Sequence, residues 1–108
     1  MTGFYRVDYQ GVSSIGAGGM ALANGKVAGI DIGGGIYRGT YVIEAGRIRG
    51  TAILSFETGG RLVTGAQVPP GTEIPIPFDL EDSGNTHVIS VSVAGRAVNV
   101  RLAKIAEL

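Results

Sequence analysis

The polar side chains best placed to do chemistry are one acid, one histidine and three tyrosines that the strand pattern directs to the same face of a sheet. They are Tyr5, Asp31, Tyr37, Tyr41 and His87. A carboxylate, an imidazole and phenols inside a small barrel can bind a polar head group, or exchange protons with a substrate that reaches them. The simpler interpretation is that each one hydrogen-bonds to a neighbour or lies at the barrel mouth. We predict these five as ligand-binding residues and assign no catalytic residue.

Composition and motif spacing argue against most other chemistry. The 108-residue chain has no cysteine and one histidine, so it lacks a thiolate nucleophile and the usual ligands of zinc or iron. The glycine-rich stretch 16–19 lacks the third glycine and the following helix of a dinucleotide-binding motif. The acidic stretch 79–85 has the spacing of a calcium loop, but Ser90 replaces the required glutamate. We therefore expect no enzyme activity, no cofactor and no metal.

Charge and hydropathy narrow the expected partners. Nine basic and nine acidic residues give a formal net charge of zero, which is too little positive charge for binding that depends on nucleic-acid phosphates. No apolar run approaches the ~18 residues that span a bilayer, and no basic segment precedes an apolar one at the N-terminus. We expect a folded cytoplasmic protein that neither binds nucleic acid nor spans a membrane.

Alternation of apolar and polar residues predicts that β-strands position these side chains. Glycine-bearing turns interrupt the alternation at about the 8–12-residue spacing typical of all-β proteins, and helical spacing is almost absent. Asn24-Gly25 favours a two-residue hairpin turn, and Ala45-Gly46 and Ala94-Gly95 are interpreted in the same way. The eight predicted strands cover about residues 3–10, 14–23, 26–33, 36–44, 47–56, 72–80, 86–93 and 96–105.

These turns fix the register of the neighbouring strands, because a two-residue turn determines which residues lie opposite each other. The predicted pairs on the buried face are Asp31 with Gly18, Tyr37 with Leu54, Tyr41 with Gly50, Ile43 with Ile48, and His87 with Leu102. An aromatic ring across a glycine is a common packing arrangement in twisted sheets. We expect Tyr41 to cover Gly50 in this way.

Eight antiparallel strands in hairpin order, with no helix to cover them, predict a single up-and-down β-barrel over residues 1–108. Closure removes the exposed sheet edges. Pro75 and Pro77 cannot donate to a backbone ladder, so their strand belongs at an edge, a bulge or a seam. The longer connection at 58–71 is expected to form a short extra strand or a turn around residues 61–63. A β-sandwich is the alternative architecture.

Short hydrophobic and glycine motifs along most of the chain are similar to those of a known family. They are GFYRV at 3–7, NGKVAG at 24–29, Asp31-Ile32, Tyr37-Arg38-Gly39 and IPIPF at 74–78. Together they resemble the GrlR type of negative regulators of type III secretion, and the segment 37–50 is similar to a single MORN hairpin. The GrlR resemblance implies a small lipocalin-like barrel that forms a homodimer and sequesters a transcriptional activator through protein contacts, without catalysis.

The sequence departs from that family at one loop. The family pattern has alternating acidic residues after the Tyr-x-Gly strand, whereas residues 43–47 contain only Glu44. The resemblance therefore implies only Glu44 as a partner contact. Our leading prediction is a non-enzymatic regulatory or protein-interaction module. The alternative is a barrel that binds a small apolar or lipid-like ligand, in a cavity left by inward glycines at 16, 18, 29, 39 and 50, since glycine has no side-chain volume.

Overall fold

The computed structural model describes residues 3–108, which form an all-β fold without helix. The described residues accordingly contain no helix that is long and apolar enough to cross a membrane. The strands are β1 Gly3–Gln10, β2 Ile15–Ala23, β3 Lys26–Asp31, β4 Ile36–Glu44, β5 Arg47–Phe56, β6 Gly60–Arg61, β7 Gln67–Val68, β8 Thr72–Glu81, β9 Thr86–Val93 and β10 Arg96–Glu107. All eight predicted strands are confirmed, with ends that differ by a residue or two at β2, β3, β8 and β10.

The eight long strands form one antiparallel sheet in the order β8-β5-β4-β3-β2-β1-β10-β9. The first strand pairs with the last, and the sheet is nearly closed into a barrel because its two edge strands, β8 and β9, contact each other. No backbone ladder joins these two edges in the described residues. Pro75 and Pro77 lie on β8, so the expected edge position of this strand is confirmed. The single continuous sheet excludes the β-sandwich.

Backbone geometry at the hairpins confirms the predicted turns. Asn24, Ala45 and Ala94 have φ angles of 53°, 53° and 50°, and each precedes a glycine that also has positive φ. These angles match the right-handed twist of the flanking strands. The structure shows each of the predicted residue pairs, including Tyr41 opposite Gly50 and His87 opposite Leu102.

The core has two buried clusters, one toward each end of the barrel. The fully buried Tyr5, Leu22 and Ile48 belong to the cluster near the Asn24 and Ala45 turns, whereas Leu54 and Phe56 belong to the other. Ile43 pairs with Ile48 as predicted, but it is 43% exposed. Its expected burial was wrong because it lies beside the Ala45 turn, at the end of the sheet.

The connection between β5 and β8 folds over one end of the barrel, and we call residues 57–71 the lid. Its β6–β7 hairpin confirms the short strand expected there. Leu62 is buried in the second core cluster. The carbonyl oxygen of Val63 accepts hydrogen bonds from the backbone N–H groups of Ser13 (2.9 Å) and Ser14 (3.1 Å). A side chain and a backbone acceptor therefore attach the lid to the barrel.

Candidate functional site

A cavity of about 110 Å³ lies inside the barrel, between the core and the lid. Each of the eight long strands contributes to its wall, which is mostly aliphatic and aromatic. Leu54, Ile76 and Val100 are typical of the lining, and Leu62 closes it from the lid. Among the described residues, its polar side chains belong to Tyr9, Asp31, Tyr37 and Arg61. The site is an apolar space with a few polar groups, which is the usual composition of a small-molecule pocket.

The inward glycines do not create this cavity, so that part of the sequence interpretation was wrong. None of the five lines it. A Cβ atom at Gly18, Gly39 or Gly50 would collide with a backbone carbonyl oxygen of the neighbouring strand. At Gly16 it would collide with the Tyr9 ring. These glycines allow close approach of strands and rings, and the space between opposite walls of the barrel forms the cavity instead.

Asp31 brings a carboxylate to the lid end of the cavity, because it is the last residue of β3. Its Oδ2 accepts a hydrogen bond from the backbone N–H of Gly33 at 3.1 Å. Its Oδ1 is buried and has no hydrogen-bond partner in residues 3–108. Burial raises the pKa of Asp31, while the nearby backbone N–H groups of Gly33, Gly35 and Ile32 act in the opposite direction. The carboxylate is therefore held by the turn that follows β3, with Oδ2 bonded to Gly33 and Oδ1 shielded from any water-sized space.

Tyr37 places a phenol near this carboxylate. It lies opposite Gly29 on one side and Leu54 on the other, with its side chain directed into the barrel. Burial, followed by the negative charge of Asp31, raises the pKa of Tyr37 far above its ordinary value of 10.0. The phenol is therefore neutral at physiological pH and keeps a proton that it can donate.

The wall of the cavity reaches the protein surface at the lid end. Arg61 is exposed on the lid, Asp31 is half-buried, and both belong to the cavity lining. The pair marks the place where the cavity approaches solvent. Sequence reasoning missed Arg61 and Leu62 as lining residues. The available signal was an apolar Leu62-Val63 pair inside an otherwise polar, glycine-rich connection.

The other predicted ligand-binding residues do not line the cavity. Tyr5 and Tyr41 are buried in the first core cluster, and His87 is 8% exposed. The Nε2 atom of His87 is buried without a hydrogen-bond partner among the described residues. The structure thus brings Asp31 and Tyr37 together at the cavity, and places Tyr5, Tyr41 and His87 outside its lining.

Glu44 lies exposed at the end of β4, in a region where acids and arginines alternate. Its carboxylate is 3.9 Å from Nη1 of Arg49. Asp79 accepts hydrogen bonds from Nε of Arg47 at 2.8 Å and from Nε of Arg49 at 3.2 Å. The hydrogen bond from Arg47 and the charges of both arginines hold the pKa of Asp79 below its usual range. A partner would meet mixed charge here, and the role of Glu44 as a contact stays a prediction.

No family model matches the chain, and no curated protein matches it either. The resemblance to GrlR-type regulators therefore stays a prediction. In the part of the chain that the structure describes, no group of three or more His, Cys, Asp or Glu side chains could hold a metal ion.

Proposed function

We propose that the protein binds a small apolar ligand inside its barrel. The observation that carries this proposal is the apolar cavity of about 110 Å³ beneath the lid. An engineered cavity of roughly 150 Å³, lined by leucine, isoleucine and phenylalanine, stays dry and binds benzene or xenon. The cavity here has a similar lining and is somewhat smaller. A ligand of about the size of benzene is therefore the appropriate class.

The lid provides the route by which such a ligand enters. In the described residues, continuous backbone ladders hold seven of the eight strand boundaries, so separating those strands breaks many hydrogen bonds, whereas β8 and β9 meet without a ladder. The lid instead is attached by the buried Leu62, by the partly buried Val63 and Val68, and by a few backbone hydrogen bonds that involve the carbonyls of Val63 and Phe56. Local openings of low free energy occur where few contacts must be broken. Displacing Leu62 uncovers the cavity without unfolding the sheet.

Toluene tests this proposal through its effect on thermal unfolding. A ligand that binds only the folded chain stabilises it in proportion to RT ln(1 + [L]/Kd), so toluene should raise the melting temperature of the parent protein. Ala52 is buried in the cavity wall, and Ala52→Leu fills part of the space. The matched control is Ala97→Leu, on the exposed outer face of β10.

Each variant is compared with its own melting temperature in the absence of toluene. We expect the toluene shift to persist in Ala97→Leu and to be reduced or lost in Ala52→Leu. No shift in the parent, or an equal shift in Ala52→Leu, contradicts binding at this cavity.

A second candidate function, a protein-interaction module that forms a homodimer, is favoured by an apolar region on the outside of the barrel. We call it the outer patch; its residues are Phe4, Ala17, Ala21, Ala28 and Ile30. The strand register places Phe4 beside Ala21 and Ala21 beside Ala28. Ile30 is 67% exposed, and Phe4 is 39% exposed. Small side chains together with two larger apolar ones make an exposed apolar surface that is suited to burial against another protein.

A second copy of the chain is the occupant that we propose for the outer patch. Twofold dimers bring the same patch of both subunits together, so each apolar patch would cover the other. A lipocalin-like regulator that sequesters a transcriptional activator as a homodimer is the specific role that the GrlR resemblance implies. The outer patch supports the dimer in that account, and the activator itself rests on the resemblance alone.

Light scattering on the intact chain tests the dimer. We expect a dimeric mass for the parent and a monomeric mass for Ile30→Glu at the same concentration. Val88→Glu is the matched control, because Val88 is 74% exposed on β9, away from the outer patch. A monomeric parent, or loss of the dimer in the control alone, contradicts the proposed surface.

A further inference from the structure

Within the described residues, the barrel has one strand boundary that no backbone ladder joins, and we call this boundary between β8 and β9 the seam. The two strands lie in contact along it. Ile74 and Ile76 from β8 and Val93 from β9 belong to the same buried cluster. Ile76 and Val93 also line the cavity. Apolar side chains therefore close the barrel here, where backbone hydrogen bonds close it at the other boundaries.

The turn between β4 and β5 determines which backbone groups of β8 face the seam. In an antiparallel pair, residues that bond to one neighbouring strand alternate with residues whose N–H and C=O groups point to the opposite side. The two-residue turn makes Glu44 and Arg47 a hydrogen-bonded pair, so the odd-numbered residues of β5 bond to β4 and its even-numbered residues bond to β8. Ala52 of β5 lies opposite Ile76. The even-numbered residues of β8 consequently bond to β5, and its odd-numbered residues direct their N–H and C=O groups to the seam.

Pro75 and Pro77 occupy two successive seam-facing positions of β8. Proline has no backbone N–H, so the middle of this edge offers acceptors without donors. The same reasoning from the Ala94-Gly95 turn directs the backbone groups of Val88 and Ser90 to the seam from β9. A ladder across the seam would lack the bonds that residues 75 and 77 should donate. The prolines thus keep the ladder with β5 intact and weaken any ladder across the seam.

We propose that the seam is a gate through which the apolar ligand enters when the lid lifts. The inference rests on the proposed ligand-binding function and adds the path across the barrel wall. The lid ends at residue 71 and β8 begins at Thr72, so the lid and this edge strand form one continuous segment. The N–H of Thr72 donates to the carbonyl of Pro69 at 3.2 Å, which couples the end of β8 to the lid. Movement of the lid therefore acts directly on β8 at the seam.

The cost of opening favours the seam over the other strand boundaries. Openings of low free energy occur where few contacts and hydrogen bonds must be broken. Separating β8 from β9 breaks apolar contacts but, in residues 3–108, no ladder, whereas separating β8 from β5 breaks a ladder that runs the full length of β8. The apolar side chains close the seam again, because their exposure to water is unfavourable. The wall can therefore open and close while the rest of the sheet keeps its register.

Restoring the two missing donors tests the gate on the intact chain. Pro75→Thr/Pro77→Thr returns an N–H to each position, and both side chains are exposed on the outer face of β8. NMR exchange measurements with toluene give the rates at which the ligand enters and leaves. We expect both rates to fall roughly tenfold at nearly unchanged affinity, because the new hydrogen bonds must break at each opening, with or without ligand. Glu73→Thr/Glu81→Thr is the matched control, since it places the same side chain at exposed positions of the same edge and adds no donor. The control should keep the rates of the parent.

Hydrogen exchange measures the state of the seam without any ligand. In the parent, the seam-facing amides of Val88 and Ser90 should exchange faster than the amide of Ile89, which bonds to β10. In the proline double variant, the amides of Val88 and Ser90 should become protected. Equal protection of all three amides in the parent would contradict an open seam.

The outcomes separate the gate from the proposed function. Seam amides that stay unprotected in the double variant, or toluene rates that equal those of the parent despite new protection, overturn the gate and leave the cavity with its function. If toluene does not bind the parent, the proposed function itself fails, and the gate fails with it.

Discussion

Gly50 offers the sharpest test of the strand register that builds the barrel wall. It lies opposite Tyr41 between β4 and β5. A Cβ atom added at Gly50 would collide with the carbonyl oxygen of Thr40 and would lie 2.8 Å from both Cα and Cβ of Tyr41. The obstruction is mainly backbone, and the Tyr41 ring that we expected to cover Gly50 is not among the nearest atoms. Because neighbouring strands share this backbone, it cannot yield as a flexible side chain does.

The expected cost follows from two opposing effects. Overpacking a well-packed site costs ~1–3 kcal/mol. Where nothing obstructs the new side chain, replacing a strand glycine by alanine stabilises the fold by roughly 0.5–1 kcal/mol, because glycine loses more conformational freedom on folding. Gly50→Ala should therefore lose about 1–2 kcal/mol on balance. At about 4–8 °C per kcal/mol for a small domain, the melting temperature should fall by roughly 4–16 °C. The melting temperature of Gly50→Val should fall further, since the valine side chain is larger and branched.

Thermal unfolding followed by circular dichroism measures this effect, with Gly19→Ala as the matched control. Gly19 is also a strand glycine, but a Cβ atom there would meet only the ring of Phe4, at 3.0 Å from Cζ. Phe4 is partly exposed and can move. We expect Gly19→Ala to be as stable as the parent or slightly more stable. If Gly50→Ala were as stable as Gly19→Ala, the assigned pairing of β4 with β5 would be wrong.

Two further predictions concern the lid and the cavity carboxylate. Leu62→Ala should loosen the lid and speed hydrogen exchange at the Ser13 and Ser14 amides, which donate to the carbonyl of Val63. The free energy of unfolding should fall by an amount toward the lower end of the ~2–5 kcal/mol typical of buried leucines. Unchanged exchange would mean that Leu62 does not hold the lid. Because burial raises the pKa of Asp31 above 3.8, the folded chain binds more protons than the unfolded chain in the window above that value. Asp31 therefore stabilises the folded chain below pH 3.8, and this stabilisation is lost as the pH rises through the raised pKa. Because Asp31→Asn has no carboxyl group at this position, its free energy of unfolding should increase relative to that of the parent from acid toward neutral pH. Denaturant unfolding at a series of pH values measures the difference, and a pH-independent difference would contradict it.

Local chemistry explains why so much of the sheet could be predicted from the sequence. Asn24-Gly25 and Ala45-Gly46 specify turns through their own backbone preferences, and a two-residue turn sets the register of both flanking strands. The position of β8 at the seam followed from Pro75 and Pro77, because a residue without an N–H cannot extend a ladder.

The site was harder to predict because alternation gives the face of a residue but not its depth in the barrel. Asp31 and Tyr5 both point inward, yet only Asp31 lines the cavity. Depth depends on the stagger of all eight strands, which no single hairpin reveals. The burial of Leu62 depends likewise on where a long connection crosses the barrel end. The cavity volume is the small difference between two larger volumes, the volume that the barrel encloses and the volume of the side chains that fill it.

NMR titration of the parent chain with toluene tests most directly the central claim that this barrel holds an apolar ligand. We predict saturable shifts of the methyl signals of Leu54, Leu62 and Val100, which line the cavity, with little change at the exposed Val42 and Val88. Shifts that fail to saturate, or that fall on the outer surface and spare the cavity methyl groups, would contradict the claim.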